Sequence, residues 1–234
     1  MTMKFIKISA AIGVLSFVTP ALADMTANYV GPNGAMTIKI EIASNGDVRG
    51  QTGAPNAYFI TRDGHGYMMQ ATFDGPAVMR VEDMATVMSE QMKKMMPNVP
   101  TPKGKDVPSF ALAKGGEVTI RGRKGIAYYM GIAKDGKPIG DPIVVISTDP
   151  ELAPLGEAMA YQFNMSIVMM GQVLGGSNPG KGMQDVLKTG APIVFTGLQL
   201  DTVNHDLIPA ARFVLPAEPL KIDEVRKTMG AGPK

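Results

Sequence analysis

The chain is 234 residues long and 45% hydrophobic, with 23 basic against 21 acidic residues, 19 methionines and no cysteine. That hydrophobic content sets it apart from disordered chains, and the missing cysteines exclude disulfides, thiol nucleophiles, zinc–thiolate sites and iron–sulfur clusters together. The near balance of charge offers no basic surplus for nucleic acid or an anionic membrane surface.

Residues 1–23 have the three parts of a secretory signal peptide. Lys4 and Lys7 make a basic start, Ile8 to Val18 an apolar middle, and Ala21-Leu22-Ala23 a small-x-small end. The apolar stretch is shorter than the roughly 20 residues a permanent membrane helix needs. Cleavage is expected between Ala23 and Asp24, releasing a periplasmic protein. No cysteine follows the cut, so neither a lipid anchor nor another stable membrane anchor is expected. Losing Lys4 and Lys7 leaves 21 basic against 21 acidic residues, so the apparent basicity of the whole chain, with its pI near 8.7, disappears on export.

From Thr26 to Val81 the sequence predicts an antiparallel meander. Met36, Ile38, Ile40 and Ile42 alternate with Thr37, Lys39 and Glu41, the period of a strand with one buried face. Asn33-Gly34, Asn45-Gly46, Asp63-Gly64 and Asp74-Gly75 punctuate the segment, and such pairs suit hairpins because both residues tolerate positive φ. The period then changes. Met84, Met88, Met92 and Met95 recur at helical spacing between Glu82 and Met96, with acidic residues first, lysines last and Pro97 as a stop. Asn98 to Ser109, with three prolines, reads as a loop.

Strands resume at Glu117–Gly122, Gly125–Ala133 and Asp141–Ser147, with a turn at Lys134–Lys137. Asp149-Pro150-Glu151 opens a long helix reaching about Leu174, uncharged from Ala158 onward. Leu155, Met159, Phe163, Ile167, Met170 and Leu174 form its main stripe. A helix apolar nearly all round is buried or in a membrane. Gln162, Asn164, Ser166 and Gln172 would be costly in lipid, which favours burial. After a glycine-rich loop at Gly175–Gly182 come a helical turn at Met183–Lys188, strands at Pro192–Leu200 and Ala211–Leu215, and a helix at Ile222–Met229. The expected fold is α+β: residues 24–234 as a single domain, a curved antiparallel sheet forming an unclosed half-barrel wrapped around inserted helices.

The run Glu117-Val-Thr-Ile-Arg-Gly122, then Ala127-Tyr128, Asp135-Gly136 and Ile146-Ser-Thr-Asp-Pro-Glu-Leu-Ala-Pro-Leu155, resembles a pattern in a family of uncharacterised exported bacterial proteins. These are similar in outline to the periplasmic lipoprotein carriers of Lol type. Tyr29, Gly34 and Met36–Ile40 look like the same family's opening hairpin. The resemblance implies a half-barrel around helices and brings no activity onto any residue.

Such a half-barrel has an apolar inner face that its own helices or a ligand must fill. Met84, Met88, Met92, Met95, Phe163, Ile167 and Met170 are the candidate ligand-binding residues, since methionine adapts to acyl chains of varied shape. The expected function is therefore a non-enzymatic binder or carrier of a lipid, acyl chain or lipoprotein. One alternative is a structural or interaction protein with a self-filled barrel. Another is a periplasmic copper binder using His65, Met68, Met69 and Met92–Met96, because thioethers select Cu(I). Met68 and Met69 would, however, point to opposite faces of one strand.

Catalytic chemistry finds little footing. His65 and His205 lie far apart in the chain, and no Gly-x-Ser-x-Gly elbow is present. Gly175 to Lys181 matches the start of a phosphate loop, but Gly182 stands where the Mg²⁺-binding hydroxyl is required. No calcium loop is apparent. No catalytic residue, metal or cofactor is expected, and the protein partner is left open.

Overall fold

The computed structural model describes residues 23–34, 36–52, 57–73, 75–95, 112–133, 135–173 and 180–230, with the backbone alone at 52 and 168–173. The expected signal peptide up to Leu22, Met96 with Pro97 and the loop after it, and the glycine-rich loop through Pro179 lie outside the described residues.

Among the described residues, eleven strands form one antiparallel sheet. The first six, β1 (Met25–Val30), β2 (Thr37–Ile42), β3 (Val48–Thr52), β4 (Ala57–Arg62), β5 (His65–Thr72) and β6 (Gly75–Arg80), run as a meander to one edge. Helix α1 (Val81–Met95) follows, and the chain re-enters at the opposite edge with β7 (Ala113–Ile120), β8 (Arg123–Tyr129) and β9 (Val144–Ser147). Helices α2 (Ala153–Val173) and α3 (Lys181–Leu187) come next, before β10 (Ala191–Phe195) and β11 (Leu198–Asn204). Strand β11 pairs with β1 and joins the two halves at the middle of the sheet. Among the described strands β6 and β7 stand at the two edges, so the half-barrel is not closed.

The turns follow from backbone chemistry. Asp63 and Gly64 both hold positive φ, 51° and 75°, which is the two-residue hairpin that asparagine, aspartate and glycine favour. Arg121-Gly122 and Thr196-Gly197 do the same, and here the structure differs from the sequence expectation. Thr196 turns the expected strand Pro192–Leu200 back on itself, giving β10 and β11. A β-branched residue at positive φ is an uncommon turn former, so composition conceals it.

Register assigns the faces. Met25, Ala27 and Tyr29 stand opposite Ile42, Ile40 and Ile38 on the inner face. Leu155, Ala158 and Met159 of α2 pack on these residues to make the main core. Met183 and Leu187 of α3 extend it over Val144 and Ile146. Helix α1 lies beside α2, and α4 (Ile222–Gly230) packs on α1 through Val225, Val87 and Met84. No helix among the described residues is long and apolar enough to cross a membrane.

The outer face has its own cover. After β11 the chain runs from Asp206 to Lys221 as a strap, with a 3₁₀ turn at Ala210–Phe213 where a strand was expected. Pro209 lacks the N–H a ladder would use, and Phe213 is buried against the sheet instead of pairing with it. Arg212 donates to the buried Glu41 carboxylate at 2.6 Å, which Lys39 holds from the other side at 2.7 Å. Leu215 covers a cluster of Ile60, Tyr67, Met69 and Val78. Finally the Leu220 amide bonds to the Val78 carbonyl at 2.8 Å, capping the β6 edge.

Candidate functional site

Helix α2 is fixed over the inner face at several points. Asp149 caps the 3₁₀ turn that leads into it by accepting the Glu151 amide at 3.0 Å. Along its length, the Tyr161 hydroxyl donates to the Gly64 carbonyl at 2.6 Å, and Asn164 accepts from Gln184 at 2.8 Å. Two glycines let side chains lie close against the strands. The Phe59 ring lies over Gly50, and the Met165 thioether lies over Gly66, where a Cβ would collide with either. Each glycine therefore determines where the wall of the trough can stand.

Between helix and sheet the packing is incomplete. A cavity of about 310 Å³ lies between Met159, Gln162 and Phe163 of α2 and Tyr29, Ile38, Phe59, Phe195 and Leu198 of the strands. Met36, 55% exposed, is at its rim. A smaller cavity of about 130 Å³ lies on the other flank of α2, against Gly66, Met68, Val81 and Met165. Phe59, Gln162 and Ser166 border both. Among the described residues, no Asp, Glu, Lys, Arg or His lines either one.

The polar groups in this wall are unequally served. The Tyr29 hydroxyl donates to the Pro192 carbonyl at 2.6 Å, and burial pushes its phenol well above the usual range. Ser166 donates to the main-chain carbonyl of Gln162 at 3.2 Å, a one-turn bond within α2. The side-chain nitrogen of Gln162 is sealed from solvent with no hydrogen-bond partner. Phe163 meets Phe195 edge to face, with ring centroids 6.1 Å apart.

The candidate residues read from the sequence separate. Phe163 lines the larger cavity. Ile167 is buried one turn further along α2, against Gly180. Met170 lies on the α2 backbone, its side chain outside the described residues. Met84 belongs to the cluster between α1 and α4, Met88 and Met92 are half-buried, and Met95 is 73% exposed. None of these four lines the two cavities. Gln162 was legible only as a polar interruption of an uncharged helix, one turn before Ser166. Nothing in the sequence placed Tyr29, Ile38, Phe59 and Phe195 at one site, because four separated strands bring them to one face.

Larger clefts exist, with different chemistry. One of about 360 Å³ lies at the start of α2 among Ser147, Asp149, Glu157 and Lys188, where the Ser147 hydroxyl accepts the Asp149 amide at 3.3 Å. Another of about 530 Å³ lies on the outer rim, beside Lys39, Glu41 and Asp206. Both are open and carry charged side chains in their walls, and Glu41 is held in ion pairs. His65 faces Glu82 at 3.7 Å, and His205 faces the Asp24 carbonyl at 3.2 Å, both at the surface. Met68 and Met69 lie on opposite faces of β5, Met68 at the smaller cavity and Met69 in the outer cluster. Among the described residues no group of three His, Cys, Asp or Glu could hold a metal ion.

No family model, curated protein or solved structure matches this chain.

Proposed function

We propose that the chain is exported to the periplasm by its N-terminal signal and works there, without catalysis, as a binder or carrier of an apolar ligand. The ligand is a lipid or acyl chain, free or borne on a lipoprotein. The observation that carries this reading is the uncharged cavity beneath α2. Its volume falls at the lower end of the roughly 300–1,000 Å³ typical of small-molecule sites, and its walls are aromatic and aliphatic. Tyr29, Ile38, Phe59, Met159, Phe163 and Phe195 are the proposed contacts.

Native mass spectrometry of freshly purified protein, followed by solvent extraction, tests the reading. Bound lipid, or uptake of a fluorescent alkyl or acyl probe, is the expected result. Protein that carries no lipid and takes up no probe overturns it in favour of a self-filled barrel. N-terminal sequencing of the exported protein tests the first clause, with Asp24 as the expected first residue.

A further inference from the structure

Exposed apolar side chains gather on one rim of the sheet. Single ones on a surface need no explanation, but their segregation does. Register carries this rim from the β5–β6 turn through Val30 and Thr37 to Val144 and Tyr128. Met36, Phe73, Met130, Ile132 and Ile139 stand on its turns, each about half exposed or more. Phe73 is fully exposed at the tip of the β5–β6 hairpin, where the Thr72 hydroxyl donates to the Gly75 carbonyl at 2.7 Å. That bond braces the turn without the ring, which has no local structural duty. Ile132 and Ile139 belong to a small hairpin between β8 and β9, closed by the Ile139 amide on the Gly131 carbonyl at 3.1 Å. The larger cavity beneath α2 reaches the same rim at Met36.

The opposite rim has other chemistry. Its turns carry Asp47, Arg62, Asp63, Arg121 and Asp206, with Leu207 as its one large apolar side chain that is exposed among the described residues. On the apolar rim the charges of the turns balance: Asp135 and Lys137 pair at 3.5 Å, and Lys114 and Asp141 are opposite in sign. Spacing and charge together indicate the occupant. β5 and β8 are eight places apart in the sheet order, roughly 40 Å along its arc at about 4.8 Å per strand. Apolar tips so widely separated suit a broad apolar medium that takes each one singly, whereas a protein partner would need a pocket for each. Anionic headgroups call for a basic cluster, which a balanced rim does not offer. We infer that this rim docks reversibly on a zwitterionic lipid bilayer, with Phe73, Ile132 and Ile139 entering the interface and the cavity mouth set against the lipid. Its purpose rests on the carrier reading: an apolar ligand dissolved in the bilayer reaches the cavity without crossing water.

The chain contains no tryptophan, so Phe73→Trp and Leu207→Trp in the whole exported protein each give a single reporter, one per rim. Each is mixed with phosphatidylcholine vesicles, with and without brominated acyl chains, at low and high salt. Emission from Phe73→Trp should shift to the blue and be quenched by bromine equally at both salt concentrations. Leu207→Trp should do neither. In co-sedimentation, Phe73→Ser and the double variant Ile132→Ser/Ile139→Ser should bind the vesicles about tenfold more weakly than the wild type, as for losing the burial of a large apolar side chain. Leu207→Ser should bind like the wild type, and every variant should keep the wild-type circular dichroism spectrum. The assignment is overturned if the wild type ignores the vesicles, if the serine variants of the apolar rim bind as it does, if Leu207→Trp responds as strongly, or if high salt abolishes binding. A blue shift that grows with protein concentration and needs no lipid overturns it in favour of contact between two copies. Uptake of a fluorescent alkyl probe from solution is read on the same samples. Probe uptake without vesicle binding overturns the docking alone, and vesicle binding without uptake overturns the carrier reading and leaves the docking standing.

Discussion

The hydroxyl of Tyr29 donates to the carbonyl of Pro192 across 163 positions of sequence, at 2.6 Å and out of contact with water. The bond links β1 to β10 past the intervening β11, at the point where the β9–β10 register shifts between Pro192 and Val194. The irregular register explains why a side chain serves that carbonyl. Tyr29→Phe should cost about 1–3 kcal/mol, because the carbonyl is left buried and unpaired. Urea unfolding monitored by circular dichroism should show a lower midpoint with an unchanged slope.

Acid should loosen the outer strap before it affects the core. Burial alone would raise the Glu41 carboxyl, but hydrogen bonds from Arg212 and Lys39 outweigh it and hold the group below its ordinary 4.5. Asp24 is lowered as well, chiefly by the Ile208 amide, against its own desolvation and with help from Ser44. A depressed folded-state pKa gives stability that is fully present above the unfolded value and lost as pH falls through the folded one. Stability should therefore hold at neutral pH and decline below about pH 4.5. Glu41→Gln should be less stable at pH 7 and show a shallower decline in acid, measured by thermal unfolding across a pH series.

Gly156 faces the backbone of Gly190, and a Cβ there would stand 2.8 Å from its carbonyl oxygen. Neither side of that contact is a movable side chain. Gly156→Ala should cost about 1–3 kcal/mol, despite alanine's better helix propensity, because overpacking shifts the start of α2. Gly116, whose Cβ would meet nothing within 4 Å, is the control. Gly116→Ala should leave the thermal midpoint close to the wild-type value.

At the α1–α4 contact, packing should outweigh the ion pair. Arg226 bonds Glu90 twice at 2.9 Å, but both side chains are about 40% exposed. Arg226→Ala should barely move the unfolding midpoint in moderate salt, as for most exposed pairs. Val225 of α4 is fully buried against Val87 of α1. Val225→Ala should cost about 2 kcal/mol from lost burial and the cavity left behind, and should increase proteolysis after Lys221 and Lys227.

The parts of the fold legible in the sequence are those with local causes. The alternation of Ile38, Ile40 and Ile42 against Lys39 and Glu41 appears as a one-sided strand, and Asp63-Gly64 as the turn it signals. The long α2 follows from an uncharged run opened by Asp149. What escaped depends on partners distant in the chain. Phe213 and Leu215 read as a strand because apolar residues cluster there, but the 3₁₀ turn holding Phe213 lies beside β3 and Leu215 packs on the outer side of β4–β6, surfaces that local patterning cannot supply. At the candidate site, Phe163 and the burial of α2 were readable from helical periodicity. The methionine stripe of α1 has the same period, and period alone cannot say which neighbour a face meets. Gln162 stood out by polarity, while its isolation is a property of the assembled wall.

The pairing of Thr26 with Asn204 at the centre of the sheet also constrains the route to the native state. The first strand waits for the last one, so the middle of the sheet cannot form until almost the entire chain is available. Contacts of such sequence separation carry a large loop-closure cost and slow folding. A ribosome-bound or partly translocated chain would hold a six-stranded meander with β1 open along one side, a template for wrong pairing. The sheet's central seam thus makes closure of the structure a late event, after most of the chain has been made.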